Sequence, residues 1–299
     1  MNKKILAAVL AALSAGAWAA EPLNVVSSFS ILGDVAKQIG GDKVAVSNLV
    51  GFDQDTHAYH LTSGDIKKLR SAKLVLLNGL GLENGDVVRA VKQGKLNYAE
   101  AAAGIKAMSA DSHHEHSHDH HDHDHGHYDP HVWQDPVLMK QYAANVAAAL
   151  SKTDPANQTY YRQRLNAYTQ ELVKLDNYAK TKFNAVPAAK RKVLTGHDAF
   201  AYMGKRYGIR FIAPQGVSSE AEPSAKQVAA IIRQMKAQKI SAVFAENIKD
   251  TRMVSRIAKE TGSKVGGKLY SDALSRSNGA GSYIGMYRYN VDVLSAAMK

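Results

Sequence analysis

Apolar and polar positions along the chain change period several times. Leu23–Phe29 and Val44–Val50 are short, strand-like runs, and Ile31–Ile39 between them has helical spacing before Gly40-Gly41. Leu74–Leu77 is apolar at every position, as expected of a parallel strand covered on both faces. A helix is predicted from Ser63, with Asp65 in its first turn and Ile66 and Leu69 turned inward, and another over Asn84–Val91. Strand and helix in alternation predict an α/β layer built on a parallel sheet.

The alternation stops at 111–127 and resumes at Asp135-Pro136, an N-cap followed by Pro at the first helical position. Asp154-Pro155 repeats that signal. Beyond it Tyr161, Leu165, Tyr168, Leu172, Leu175 and Ala179 follow spacings of three and four, so one long amphipathic helix is predicted over 155–183. Strands are then expected at Lys192–Thr195, Arg210–Ile212, Ile240–Ala245 and Val265–Tyr270. Helices are expected through Met203, from Glu222-Pro223-Ser224 to Gln238, over 250–261 and over Ser282–Met298. The predicted organisation is two similar α/β lobes with parallel sheets joined by one long helix. Residues 1–19 would be a signal segment, 20–153 the N-terminal lobe, 154–184 the linking helix and 185–299 the C-terminal lobe.

Composition narrows the function. The 299 residues include no Cys, which excludes disulfides, thiol catalysis, Cys-ligated zinc and iron–sulfur clusters. Lys3 and Lys4, the apolar run Ile5–Leu13 and the small-x-small string Ala17-Trp18-Ala19 read as a cleaved secretory signal peptide. Without a Cys to carry lipid, the expectation is a free periplasmic protein and not a lipoprotein. Removing residues 1–19 takes away two lysines, lowering the net charge from +11 to +9. The remaining Lys and Arg are scattered and not interleaved with aromatics, so nucleic acid is not the expected partner. The chain is expected to be a monomer.

Histidine is placed unevenly. Nine of the 13 crowd into 111–127, as His113, His114, His116, His118, His120, His121, His123, His125 and His127, among acids and without an aliphatic residue. Such a stretch cannot build a core, and the expectation is a mobile loop offering weak, shifting metal sites. The other four are His57, His60, His131 and His197. These, and Asp272, fall just after predicted strands or in loops between elements, where ligands of open α/β sheets collect. Three imidazoles and a carboxylate suit Zn²⁺; from spacing alone a hydrogen-bonded histidine is the commoner alternative.

Five strings decide between these readings: DTHAYHLTSGDIKKL (55–69), DPHVWQDP (129–136), TGHDAFAYMGKRYGI (195–209), AEPSAKQVAAI (221–231) and LYSDALS (269–275). In this order they resemble the zinc- and manganese-specific solute-binding proteins of bacterial ABC transporters, across essentially the whole chain beyond the signal segment. The resemblance implies a metal in the cleft between two lobes, ligated by His57, His131, His197 and Asp272, and delivered to an ABC permease in the inner membrane. A His at position 197, where manganese receptors typically have Glu, implies Zn²⁺ as the cargo with Mn²⁺ as the alternative. The chain departs from the family where Thr56 replaces a Pro before the first ligand, and where His60, Leu61 and Ser63 replace acidic and Pro residues. His60 is therefore open as a partner that orients a ligand, an alternate ligand or a surface residue, and Asp198 and Glu246 are further candidates for orienting a ligand. A zinc hydrolase is the reading of another class, but HAYH lacks the spacing and the Glu of HExxH, and no GxSxG elbow is present.

Overall fold

The computed structural model describes residues 21–110, 128–219, 222–240, 242–248 and 251–299. The expected signal segment and the histidine-rich stretch 111–127 lie outside the described residues.

The N-terminal half runs β1 (Leu23–Phe29), α1 (Ser30–Gly40), β2 (Val44–Val50), α2 (Ser63–Ser71), β3 (Leu74–Leu77), α3 (Gly85–Gln93), β4 (Tyr98–Glu100) and α4 (Leu138–Thr153). After α5 (Gln158–Asn184) come β5 (Lys192–Leu194), α6 (Ala201–Tyr207), β6 (Arg210–Ile212), α7 (Ala225–Gln238), β7 (Ala242–Glu246), α8 (Arg252–Thr261), β8 (Lys264–Leu269) and α9 (Tyr283–Ala297). Each half forms a four-stranded sheet, ordered β2-β1-β3-β4 and β6-β5-β7-β8, with every pairing parallel. The two orders are the same, so each sheet reverses direction of growth at its second strand. That reversal opens a crevice at the carboxyl ends of the strands. Close approach of α1 to β2 needs Gly33, since a Cβ there would stand 2.0 Å from Asn48 Oδ1.

Local chemistry explains most boundaries. Thr62 caps α2 in a capping box with Asp65, Ser224 caps α7 in a box with Gln227, and the Ser282 hydroxyl accepts from Gly285 N at the start of α9. Two expectations shift. Pro136 does not open α4, which begins at Leu138. The Asp135 carboxylate instead accepts from Val137 N and faces Arg206 at 3.2 Å, which holds residues 135–137 in a separate turn. Asp154-Pro155 opens a 3₁₀ turn, Pro155–Asn157, that leads into α5. β4 escaped the periodicity because three residues bearing Tyr and Glu carry no pattern.

Helix α5 has 27 residues, about 40 Å at 1.5 Å per residue. It packs on α1 and α4 of the first half and on α6 and α9 of the second. The larger apolar cluster runs without interruption from Val25, Phe29 and Leu76 through Leu172 and Phe183 to Phe244, Leu269 and Tyr287. A smaller cluster, including Leu194, Met235, Val243 and Ile257, lies beneath α7 and α8. A continuous core beside a long helix opposes independent swinging of the halves, because such motion would expose packed apolar surface.

One ion pair fastens α5 to α6. Arg206 donates from Nε and from a terminal amine to Asp176 at 2.6 and 2.7 Å, and Tyr207 Oη donates to the same carboxylate. Burial raises the Asp176 pKa, but Arg206 first, then Lys180 at 2.9 Å and Tyr207, outweigh it and hold it at about 2. That value lies below the unfolded value of about 3.9, so the pair stabilises the fold fully above that pH and is lost as pH falls toward 2. Asp176→Ala should lower unfolding stability by about 3 kcal/mol in urea titrations at neutral pH. A change under about 0.5 kcal/mol would show that the pair is not a fastening of α5.

Candidate metal centre

His57, His131, His197 and Asp272 converge. One ligand atom from each lies within 4.8 Å of all the others, and all four residues are buried. His57 lies in the loop between β2 and α2, and His131 lies just before a 3₁₀ turn, Val132–Gln134. His197 follows β5, in a bridge pairing with Gln215, and Asp272 stands three residues past β8. His57, His197 and Asp272 are carried by segments that follow β2, β5 and β8, and His131 by the segment that leads into α4, so the crevice set by the sheet order becomes the site.

The spacing is that of a coordination shell. His57 Nε2 lies 3.3 Å from His131 Nε2 and 3.5 Å from Asp272 Oδ2. His131 Nε2 lies 3.4 Å from Asp272 Oδ1, and His197 Nε2 lies 3.1 Å from Asp272 Oδ2. A tetrahedral ion with bonds of about 2.0–2.1 Å places neighbouring ligand atoms about 3.3–3.4 Å apart. The donor set fits a cation for a second reason. Neither oxygen of Asp272 takes a hydrogen bond of good geometry from a described residue, although the residue has no exposure. A charge in that condition demands a positive partner.

Buried carboxylates orient two of the imidazoles. Asp129 Oδ1 accepts from His131 N at 2.9 Å and lies 2.7 Å from His131 Nδ1. Glu246 Oε2 lies 2.6 Å from His197 Nδ1, while its Oε1 accepts from Gly196 N and His197 N. A proton held on His131 Nδ1 leaves its Nε2 lone pair facing the site, the usual carboxylate–histidine–metal arrangement, and the Glu246 carboxylate beside His197 Nδ1 favours the same form there. His57 is placed through its backbone, its N donating to Asp55 Oδ1 at 3.0 Å. The 129–134 segment is pinned from elsewhere. Tyr202, Tyr283 and Tyr287 donate to the carbonyls of Asp129, Trp133 and Gln134, and Asn78 Nδ2 donates to the Pro130 carbonyl. Trp133 Nε1 and Gln134 Nε2 both donate to the carbonyl of Ser271, the residue before Asp272.

The remaining candidates sort themselves. His60 lies outside the cluster, 77% exposed at its side chain, with Nδ1 3.4 Å from Asp86. It follows His57 by three residues, but the chain there turns outward toward Thr62 and α2. Glu246 lies against His197 as envisaged, whereas Asp198 is only part-buried and its backbone N serves the Gly216 carbonyl. Asp129, Asp55 and Asn78 were missed. The Asp-Pro-His string held a signal for Asp129, two residues before a ligand; the other two show no local mark. The nine histidines of 111–127 lie outside the described residues. The ends of that stretch do meet, through a bridge between Ser109 and Tyr128 and a bond from Asp129 N to the Met108 carbonyl. Thr56 departs from the family pattern with a buried hydroxyl that has no hydrogen-bond partner among the described residues.

A family described as the zinc-uptake complex component A, periplasmic, matches residues 25–297. The chain belongs to this family of metal-binding receptors of ABC transporters. Its members are receptors for metal transport and not enzymes, and they work with a membrane permease. Among curated relatives, the manganese-binding lipoprotein MntA of Bacillus subtilis is 32% identical, covering all of both chains. The metal ABC transporter substrate-binding lipoprotein SloC of Streptococcus mutans is 30% identical over 91% of this chain and 89% of its own. The fold matches the periplasmic zinc-binding protein TroA of Treponema pallidum with a TM-score of 0.84 at 30% identity, covering 93% of this chain and 99% of that one. A manganese-bound periplasmic metal-binding protein of Candidatus Liberibacter asiaticus matches at a TM-score of 0.77 and 26% identity, over 92% and 99%.

These relatives correct one expectation. A free periplasmic protein that is not a lipoprotein was inferred from the lack of Cys, yet SloC and MntA are named as lipoproteins, as is PsaA of Streptococcus pneumoniae. A composition argument reports which side chain is missing and does not establish where a member of this family resides.

Protonation of the centre follows from its geometry. Burial pushes the His57 imidazole down, more than Asp272 pulls it up. Burial acts the same way on His197, but the carboxylates of Glu246 and Asp272 on either side prevail and raise it well above the ordinary histidine value. Burial would raise Asp272 and Glu246, and His197 outweighs it in both, aided at Asp272 by His131, so both are held low. Without metal, a proton on His197 is the favoured positive partner of Asp272. A metal must displace it, so affinity should fall as pH falls, about tenfold per pH unit through neutrality, with about one proton released per ion. Calorimetry in two buffers of different ionisation enthalpy measures both; a dissociation constant flat between about pH 6 and 8 would contradict the assignment.

Proposed function

We propose that this chain is the zinc receptor of an ABC importer, enclosing one Zn²⁺ between His57, His131, His197 and Asp272 and handing it to the membrane permease. The observation that carries this reading is the donor set: three imidazole Nε2 atoms 3.1–3.5 Å from the oxygens of one carboxylate, with the Nε2 atoms of His57 and His131 3.3 Å apart and all four ligand atoms within 4.8 Å of one another. Imidazole nitrogen suits Zn²⁺ better than Mn²⁺, and affinity order favours Zn²⁺ at almost any such site. The protein supplies four donors and buries all of them, as a carrier requires; a zinc hydrolase needs an open position for water. The histidines of 111–127 would add weak, auxiliary capture by transient pairing of imidazoles.

One feature supports Mn²⁺ as a second reading. Asp272 turns Oδ1 toward His131 and Oδ2 toward His57 and His197. Binding through both oxygens would give a five-donor shell richer in oxygen, which Mn²⁺ accepts more readily. The names of the relatives include both metals.

Competition of Zn²⁺ and Mn²⁺ for the metal-free protein against a chromogenic chelator separates the two readings. The zinc reading expects one tight equivalent, with Zn²⁺ held at least about a hundredfold more tightly than Mn²⁺. His197→Ala should weaken that equivalent by about a thousandfold, through loss of one ligand and exposure of Glu246 without its partner. Near-parent affinity in His197→Ala would remove it from the shell, and preference for Mn²⁺ would install the second reading.

A further inference from the structure

Resting on that reading, the four ligands pose a problem of access. His57 is 5% exposed and the other three are not exposed at all, so an ion can neither enter nor leave until some segment moves. The segments are not held equally. The His131 and Asp272 segments are bound to each other and to α9 through buried groups, by Trp133 and Gln134 donating to the Ser271 carbonyl and by Tyr283 and Tyr287 closing over Trp133 and Gln134. Moving either would strand several buried donors and acceptors. The His57 loop, between β2 and α2, is fastened to the second half from outside, at the exposed Asp53 and the part-buried Asp55.

Asp53 makes an unusual junction. Its backbone is in the left-handed region at φ 56°, a conformation an Asp tolerates but most residues resist. There its N donates to the Leu274 carbonyl at 2.9 Å, its Oδ1 accepts from Asn247 Nδ2 at 2.9 Å and its Oδ2 accepts from Ser275 Oγ at 2.9 Å. Asn247 directly follows Glu246, which orients His197, and also donates to the Ala273 carbonyl. Leu274 and Ser275 follow Asp272 by two and three residues. One exposed carboxylate thus ties together the segments that carry two of the four ligands, His57 and Asp272, and the segment of Glu246, which lies against His197. Asp55 adds a second tie, accepting from Ser219 Oγ at 2.6 Å through Oδ2 while its Oδ1 holds His57 N.

We propose that the 51–62 loop is the door of the metal site and that Asp53, with Asp55 as a second fastening, is its latch: a positioning residue that sets how fast the ion is released without contributing to its coordination. The Asp53 carboxylate is exposed, so it regains solvent bonds when the door opens and wets the buried Ser275 and Ser219 hydroxyls, whereas the buried His131–Asp272 platform stays assembled. Because Asp53 contacts the segments adjoining Asp272 and Glu246, its bonds are made only when His57 has closed onto the other ligands.

The test is release of Zn²⁺ from the loaded full-length protein into excess EDTA, followed by stopped flow. Asp53→Gly keeps the left-handed backbone at no steric cost and removes both side-chain acceptors. It should speed release about tenfold, and adding Ser219→Ala should speed it further. Asp53→Asn keeps the backbone preference and one acceptor oxygen, so its rate should fall between parent and Asp53→Gly. The absorption spectrum of the Co²⁺-loaded variants should match that of the parent, because all four ligands remain. Release as slow as the parent in Asp53→Gly and in the double variant overturns the latch; so does faster release accompanied by an altered Co²⁺ spectrum. Should Asp53→Gly not fold, Ser275→Ala decides, with release about threefold faster expected and an unchanged rate overturning the proposal. A parent protein that holds no stoichiometric metal would instead count against the ligand assignment itself.

Discussion

An ionised carboxylate with no exposure and, among the described residues, no well-formed hydrogen bond to either oxygen is costly to bury, and Asp272 is in that position. The surroundings turn this cost into a demand for positive charge. Three imidazole Nε2 atoms stand 3.1–3.5 Å away, and two of those rings are held by carboxylates of their own. Either a proton on His197 or a metal ion among all four groups meets the demand. The ion also binds the facing nitrogens of His57 and His131, which the proton on His197 does not reach. Burial of the site is therefore what couples it to metal.

The rest of the architecture serves to keep that cluster assembled. Matching strand orders in the two sheets bring four loops to one crevice. The long helix α5, the return of α9 and the continuous core fix the spacing of the sheets. A carrier must also let go. The contrast between the buried fastening of His131 and Asp272 and the solvent-side ties of the His57 loop distributes rigidity unevenly, with the weaker side at the mouth.

Much of this is legible in the sequence, for identifiable reasons. Fully apolar runs such as Leu74–Leu77, and the three–four spacing from Tyr161 to Ala179, predict strand and long helix because burial on two faces or one leaves a periodic trace. The four residues that cluster were named through strings whose residue types and order are distinctive. What stayed hidden depends on contacts distant in sequence. Glu246 was named as a candidate for orienting a ligand, but which ligand it meets shows only when β5 is placed beside β7. Asp53 and Asn78 carry no periodicity, and their partners lie 194 and 52 residues away, at Asn247 and Pro130. His60 misleads in the other direction: three residues from a ligand, it faces solvent because the chain between them turns. The start of α4 shifts because Asp135, which could have capped from Pro136, answers to Arg206.

The central claim is that one ion is held by three imidazoles and one carboxylate. X-ray absorption at the metal edge of the zinc-loaded protein, with residues 112–127 deleted so that only the buried site is loaded, tests it most directly. The account predicts three imidazole nitrogens and one carboxylate oxygen at about 2.0–2.1 Å, with the outer-ring scattering of imidazole. Two or fewer imidazoles, or a shell dominated by oxygen, would contradict it.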